Sequence, residues 1–328
     1  MIPTFEDDIL GCVLWFAHLK RENDGGARAA WVKANERSAG PGTFTMPSQP
    51  WLGPATARKD LEDVLAVGRD RHAVRRQLGR AFLKLEQSLL LEPLAGDDNP
   101  TTAYREVSEL GLELLQQDSY REFVLGLPFV ASRWASSVVC IYSKNESGVG
   151  SGFLVGERLI ATARHVPEDL GEFEICDHEG HEIEVSGAPI YPQQTSGDLD
   201  LALIEIRAQP AGMTPMRLAP HPDLLDEVVV FGFPPVPFTT KPHLLANRGE
   251  VSAIVDLRTD YQAIIVTCLL RGGNSGGPIV DRRGRVVGVA SRNLFNQMLP
   301  DEQSLNEGLG YSVATPSEWV SDLIERRV

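Results

Sequence analysis

The sequence predicts an α+β chain in two parts, an α-helical module over residues 1–130 and a β-rich domain over residues 131–328. Three observations predict it. In the first part apolar residues recur at steps of three and four, the spacing that lines one face of a helix. In the second part they gather into short runs bounded by glycine-rich turns, the spacing of strands and hairpins. Near the end, Thr315-Pro316-Ser317-Glu318 reads as a helix start, with a threonine cap, a proline at the first position and a glutamate reaching back.

In chain order, Ile9, Leu10, Val13, Leu14, Phe16 and Leu19 predict a buried helix over 5–19, with acids at its start where they suit the helix dipole. Residues 23–55 are rich in Gly, Ala, Pro and Ser and read as loop, with a short helix near 29–34. From Ala57 to Glu92 a second stripe runs through Leu61, Val64 and Leu65, then Val74, Leu78, Phe82, Leu85 and Leu89, with Gly68 dividing it into two helices. A further helix over Thr102–Val124 uses Tyr104, Val107, Leu110, Leu112 and Leu115. Arg69, Arg71, His72, Arg75, Arg76 and Arg80 form a basic face opposite the stripe. Such a face is a solvated surface, an internal ion-pair partner, or a dock for an acidic partner or regulatory anion.

In the second part, Gly150–Val155 and Arg158–Val166 read as strands joined by a Gly156-Glu157 turn, and Asp177-His178-Glu179-Gly180 as a hairpin turn. Val228–Phe233 is a further strand, followed by prolines 234, 235 and 237, which stiffen a loop. The closing helix covers Ser317–Arg326, with Trp319, Val320, Leu323 and Ile324 as its buried side.

The net charge of −14 argues against a general binder of nucleic acid or of an anionic membrane, since both are polyanions. The acidity lies mostly in the second part, because residues 1–130 hold 15 basic and 19 acidic groups. The acidic N-terminus does not read as a secretory signal, and no apolar stretch has the length of a membrane span. Cys12, Cys140, Cys176 and Cys268 are scattered, with no Cys-x-x-Cys spacing, so a reduced, cytoplasmic protein is expected. Cys176, His178 and His181 cluster around a turn, where polar residues collect anyway; no metal is expected there.

The stretch with the most chemistry is Arg271–Val280, where four glycines crowd Ser275. Glycine reaches backbone angles closed to other residues, so such a turn can aim N–H groups and a hydroxyl at one point. Upstream, a histidine, His165, ends an apolar strand, and an acid, Asp200, stands at the mouth of another. Each has a plain structural reading alone. Together they supply a base, an orienting acid and a nucleophile in order along the chain.

Thr162-Ala163-Arg164-His165, Asp200-Leu201-Ala202-Leu203 and Gly273-Asn274-Ser275-Gly276-Gly277-Pro278 resemble the corresponding motifs of the chymotrypsin/trypsin-like serine proteases, most of all the bacterial Deg branch. The resemblance covers roughly residues 135–316. It implies a trypsin-like double antiparallel β-barrel, with barrel one at 135–207, barrel two at 226–314, a C-terminal helix at 316–327 and the active site in the cleft between barrels. By matched position Ser275 is the nucleophile, His165 the base and Asp200 its orienting acid, with Asp198 as the alternative. Gly273 and Ser275 supply the oxyanion-hole N–H groups.

Val166 and Arg271 stand where digestive members place disulfide cysteines, and Asn274 where zymogen-activated members place an aspartate, so activation by an N-terminal cut is not expected. Leu269, Ser291, Asn293 and Gly310 match the substrate pocket. With Leu269 in place of a buried acid, the expected preference is for apolar side chains before the cut. No PDZ module is seen after the barrels, so the cage assembly of Deg enzymes is not expected. The resemblance implies an intracellular serine endopeptidase acting on protein or peptide substrates through an acyl-enzyme, with no cofactor, and recruited or regulated by a partner through residues 1–130. The alternative is a catalytically silent protease-fold scaffold.

Overall fold

The computed structural model describes residues 8–21, 26, 30, 33, 56–66, 68–94, 103–106, 110–145, 148–192, 199–219, 221–239, 241–257, 261–291 and 312–326. The chain divides into two units, Met1–Gly126 and Leu127–Val328. Of the stretch 23–55, only positions 26, 30 and 33 are described, each helical. Among the described residues, no helix is long and apolar enough to cross a membrane.

The first unit contains α1 (Ile9–Arg21), β1 (Thr56–Ala57), α2 (Arg58–Leu65), α3 (Arg71–Gln87), β2 (Leu91–Leu94), β3 (Ala103–Glu106), α4 (Leu110–Gln116) and α5 (Tyr120–Leu125). Val13 and Leu14 of α1 meet Leu61 and Leu65 of α2 and Leu78, Phe82 and Leu85 of α3 in one core. Buried Asp8 caps α1: its carboxylate accepts from Leu10 N–H at 3.1 Å, from Arg121 Nε at 3.0 Å and from the Tyr120 hydroxyl. The division of the second stripe falls at Gly68, with φ +65°. On the basic face, Arg75 binds Glu62 at 2.8 and 3.0 Å and Arg71 binds Asp63 at 2.9 Å, so these two arginines serve as ion-pair partners within the unit.

Two expectations for this unit need correction. The stripe through Leu89 does not continue the helix: α3 ends with Leu90 N–H donating to Leu85 O at 2.9 Å, and Leu89 turns left-handed (φ +56°) with its side chain 75% exposed. Spacing missed this ending because no glycine marks it. The single helix over Thr102–Val124 is instead a strand and two helices, parted around Asp118 (φ +50°), in a polar Gln117-Asp118-Ser119 segment that interrupts the apolar period. The strand, β3, is the centre of a small antiparallel sheet in the order β1-β3-β2. Pro93 is accommodated because β2 is an edge strand.

The second unit opens with α6 (Leu127–Trp134) and a 3-10 turn (Ala135–Ser137), then β4 (Val138–Ser143), β5 (Val149–Gly156), β6 (Leu159–Thr162), α7 (His165–Leu170), β7 (Phe173–Cys176), β8 (Glu182–Ile183) and β9 (Ala202–Glu205). These strands form a six-stranded antiparallel sheet, β8-β7-β4-β5-β6-β9. Its edges approach each other: Val185 bridges Ile206, Arg207 N–H donates to Glu184 O at 2.9 Å and Ser186 N–H to Glu205 O at 2.8 Å. Val139, Ile141, Leu154, Ile160 and Ile204 fill one apolar layer of this sheet.

The chain continues through β10 (Arg217–Leu218), β11 (Glu227–Gly232), β12 (Leu245–Asp256), β13 (Gln262–Val266), β14 (Pro278–Asp281), β15 (Arg285–Ser291), β16 (Ser312–Pro316) and α8 (Glu318–Glu325). Here the order is β10-β15-β14-β11-β12-β13-β16, and the pairing of β15 with β16 closes a six-stranded barrel. Val228, Val230, Val251, Ile264 and Ile279 fill it. The fold is a trypsin-like double β-barrel preceded by a largely helical unit. The helix-start reading shifts by two residues, since Thr315 and Pro316 end β16 and α8 begins at Glu318. Pairing across the barrel claims the threonine before a cap can form.

Candidate active site

β6 is buried at every position and delivers Thr162, Ala163 and, at the start of α7, His165. Asp200 lies just before β9, which pairs with β6 in the register Thr162↔Ala202. The pairing of β6 with β9 thus brings the imidazole and the carboxylate together although 35 positions separate them. His165 Nδ1 lies 2.9 Å from Oδ2 and 3.0 Å from Oδ1 of Asp200, and the His165 backbone N–H donates to Oδ1 at 3.0 Å.

Asp200 is only 4% exposed. Burial pushes its carboxyl pKa upward, but the hydrogen bonds and charge of His165, with the Ser291 hydroxyl, outweigh burial and hold it below the ordinary value. An ionised carboxylate can only accept, so Nδ1 carries the proton and Nε2 is left with a free lone pair.

Ser275 sits in the turn between β13 and β14, and its carbonyl accepts from Ser151 N–H of β5 at 2.8 Å. The Ser151 hydroxyl donates to Gly273 O at 2.6 Å and accepts from Phe233 N–H at 3.0 Å, while Ser151 O accepts from Thr162 Oγ1 at 2.7 Å. One residue of barrel one therefore joins the Ser275 turn to the strand that carries His165. The turn needs its glycines. Gly273 has φ +91° and Gly276 φ +83°, and a Cβ on Gly276 would lie 2.2 Å from both Ser151 O and Thr162 Oγ1.

Within the turn, Asn274 N–H donates to Arg271 O, Gly276 N–H to Ala290 O and Gly277 N–H to Asn274 O, at 2.7–3.0 Å. The N–H groups of Gly273 and Ser275 have no acceptor among the described residues, although both residues are buried. Two unpaired amides flanking a hydroxyl make a receptor for a negatively charged oxygen. Ser275 Oγ makes no hydrogen bond with the imidazole among the described residues; the surrounding backbone is what the hydrogen bonds hold.

The pocket residues fare differently. Ser291 was expected at the substrate pocket; it is buried behind the acid, its hydroxyl donating to Asp200 Oδ2. The physical reason is that β15 ends against the segment before β9, where the carboxylate needs a second donor. Leu269 is 58% exposed, and its carbonyl accepts from Asn247 and Asn274 side chains at 3.5 Å. Asn293, Gly310 and the alternative acid Asp198 lie outside the described residues.

Sequence reading missed the roles of Ser151, Ser291 and Thr315, whose hydroxyl donates to Asp200 O at 3.4 Å. The one available signal was a hydroxyl residue inside or at the end of an otherwise apolar strand. Elsewhere, half-buried Asp177 and exposed Glu179 and His181 gather within 4.8 Å on the hairpin turn, with Asp177 already bonded to His181. A cavity of about 370 Å³ lined by Arg158, Ser186, Glu205 and Arg207 belongs to the seam of barrel one and includes none of the site residues.

Two closed or nearly closed antiparallel barrels, a buried aspartate paired with a half-buried histidine, and a glycine turn presenting a serine are the features of a trypsin-like fold. Residues 150–289 match the family model described as the Trypsin-like peptidase domain. The chain is 28% identical over 174 residues to the putative protease Do-like 3, mitochondrial, of Arabidopsis thaliana, covering 51% of this chain and 28% of that protein. It is 28% identical over 143 residues to the probable periplasmic serine endoprotease DegP-like of Chlamydia pneumoniae, covering 43% of this chain and 28% of that protein.

Among solved structures, the serine endoprotease from Yersinia pestis aligns with 22% identity and a TM-score of 0.45, over 60% of this chain and 64% of that one. The chain spans under a third of the length of these two curated relatives. Residues 150–289 thus resemble a trypsin-like peptidase domain, and the relatives they align with include Do-like and DegP-like proteases.

Two outcomes test the geometry. Gly276→Ala combines left-handed strain with a backbone clash, whereas Gly180→Ala carries a left-handed φ of +95° with nothing within 4 Å of the new methyl. Urea unfolding is expected to show a loss of roughly 2 kcal/mol or more for Gly276→Ala and about 1 kcal/mol for Gly180→Ala; equal losses would contradict the packing described. The second outcome concerns pH. The carboxyl of Asp200 is depressed in the folded state, so its stabilisation is present above the unfolded value of about 3.9 and is lost as pH falls through the lower folded value. Asp200→Asn is expected to remove that part of the acid-induced loss, measured as the slope of stability against pH below about 4.

Proposed function

We propose that the chain is a serine endopeptidase that opens peptide bonds through an acyl-enzyme on Ser275. The observation that carries this reading is the grip of the buried Asp200 carboxylate on Nδ1 of His165, which leaves Nε2 as the base. The nucleophile turn packed on Ser151 and Thr162 supports it, as does the match of residues 150–289 to the Trypsin-like peptidase domain.

In this mechanism Ser275 Oγ attacks the scissile carbonyl carbon as its proton passes to His165 Nε2. The carbonyl electron pair moves onto oxygen, and the unpaired amides of Gly273 and Ser275 receive the oxyanion. Each such donor is worth about 3 kcal/mol to the transition state. The imidazolium, stabilised by Asp200, then protonates the departing amine as the C–N bond breaks. Water repeats the sequence to release the acyl group.

A fluorophosphonate probe tests the nucleophile. Labelling is expected on Ser275, abolished by Ser275→Ala and strongly slowed by Asp200→Asn, which leaves the imidazole in the wrong tautomer and costs about 10⁴-fold in turnover in this chemistry. Absence of labelling in the full chain would favour the silent scaffold instead.

The preference for apolar side chains before the cut rests on Leu269, which supplies no carboxylate to offset the desolvation of a basic side chain. Cleavage of a peptide library should enrich Val, Leu, Ala or Met before the scissile bond; enrichment of Arg and Lys would overturn the preference while leaving the peptidase reading intact.

A further inference from the structure

The four cysteines are free and buried, but two of them face each other. Cys140 of β4 and Cys176, the last residue of β7, are directly opposed partners in an antiparallel pair. Opposed residues in such a pair stand about 4.5–5.5 Å apart between Cα atoms, within the span of about 4.4–6.8 Å that a disulfide bridges. Both side chains belong to the same apolar cluster, so the two thiols share one face of the sheet. Cys12 and Cys268 lie in different apolar cores.

The neighbouring rungs hold this pair in register. Tyr142 lies opposite Glu174 and donates its hydroxyl to the carboxylate at 2.8 Å, and Ser143 lies opposite Phe173. Beyond Cys176 the chain enters the exposed Asp177–Gly180 turn, pinned by Asp177 Oδ1, which accepts from Glu179 and His181 N–H groups at 2.9 Å. Cys176 is the more accessible residue, 7% exposed against 0% for Cys140.

We infer that Cys140 and Cys176 form a peroxide-reactive dithiol that closes to a cross-strand disulfide, a modification site separate from the proposed peptidase centre. The oxidant is hydrogen peroxide or an alkyl hydroperoxide. Cys176 sulfur attacks one peroxide oxygen, the O–O bond breaks, and a sulfenic acid forms with release of water or alcohol. Cys140 sulfur then attacks the Cys176 sulfur, the S–O bond breaks, and the hydroxyl leaves as water with the Cys140 proton. Two thiols lose two hydrogens and the peroxide is reduced by two electrons.

Interaction with the neighbouring Cys140 lowers the pKa of the Cys176 thiol, against burial and the carboxylates of Asp177 and Glu174, while interaction with Cys176 and burial raise that of Cys140. The first attack therefore falls to Cys176, and Cys140 is the resolving thiol. The closed loop contains β5, β6 and His165, so oxidation braces the part of barrel one from which the imidazole is presented.

Peptide mass spectrometry on the full chain provides the test, after treatment with hydrogen peroxide and alkylation of the remaining thiols. The expected product is a Cys140–Cys176 linked peptide pair, two hydrogens lighter than the dithiol, reversed by dithiothreitol. Cys140→Ser and Cys176→Ser should each abolish it, while Cys12→Ser and Cys268→Ser should leave it. The wild-type oxidised form should also melt roughly 5 °C or more above its reduced form. Bridges to Cys12 or Cys268, sulfinic acid at Cys176 beside an alkylated Cys140, or four alkylated thiols after peroxide treatment would each overturn the inference, and the wild-type measurement alone reads all three.

Discussion

Ser151 is the joint on which the rest of the site depends. Its N–H, hydroxyl and carbonyl make four hydrogen bonds, to Ser275 O, Gly273 O, Phe233 N–H and Thr162 Oγ1. These partners belong to the Ser275 turn, the segment leaving β11 and the strand that leads to His165. The residue is fully buried, so each group left unpaired would cost about 1–3 kcal/mol rather than exchange for water. A single side chain with both donor and acceptor capacity thus holds two barrels to one relative arrangement at the point where the chemistry needs it. Gly276 makes the approach close enough, since any side chain there would meet the same oxygens.

The acid is held by the same logic, from the other barrel. Taking a carboxylate out of water is costly unless its lone pairs are filled. Asp200 meets that requirement with His165 from barrel one and Ser291 from the end of β15, while Thr315 of β16 holds its carbonyl. Because β15 pairs with β16 in the closed barrel, the two hydroxyl residues stand diagonally across the pair, Ser291 opposite Val313 and Thr315 opposite Val289. Barrel closure is therefore what makes a buried ionised acid tolerable here.

Much of this was legible in the chain. His165, Asp200 and Ser275 each carry a local pattern, a strand end or a glycine turn, and the strand runs around them are apolar enough to place. The supporting hydroxyls were not legible, because Ser291 meets Asp200 across 91 positions and no periodicity encodes such a meeting. Ser291 was even assigned to the substrate pocket, since motif matching locates a residue along the chain without fixing which way its side chain turns. In the first unit, helical spacing was read through Leu89 and through Tyr104, where a left-handed turn and a three-stranded sheet intervene. Short strands of two to four residues carry too few alternations to compete with a helical period.

A division of labour follows from where the constraints fall. Asp200, the backbone around Gly273 and Ser275, and the Ser151 joint are buried and tied by hydrogen bonds, so most changes there disturb folding as well as the site. Leu269, by contrast, is exposed, and only its carbonyl is tied to neighbouring asparagines. Its side chain can change in size or charge without removing a hydrogen bond from the site. The surface at Leu269 is accordingly open to variation while the frame beside it is not, because the frame is fixed by buried polar groups.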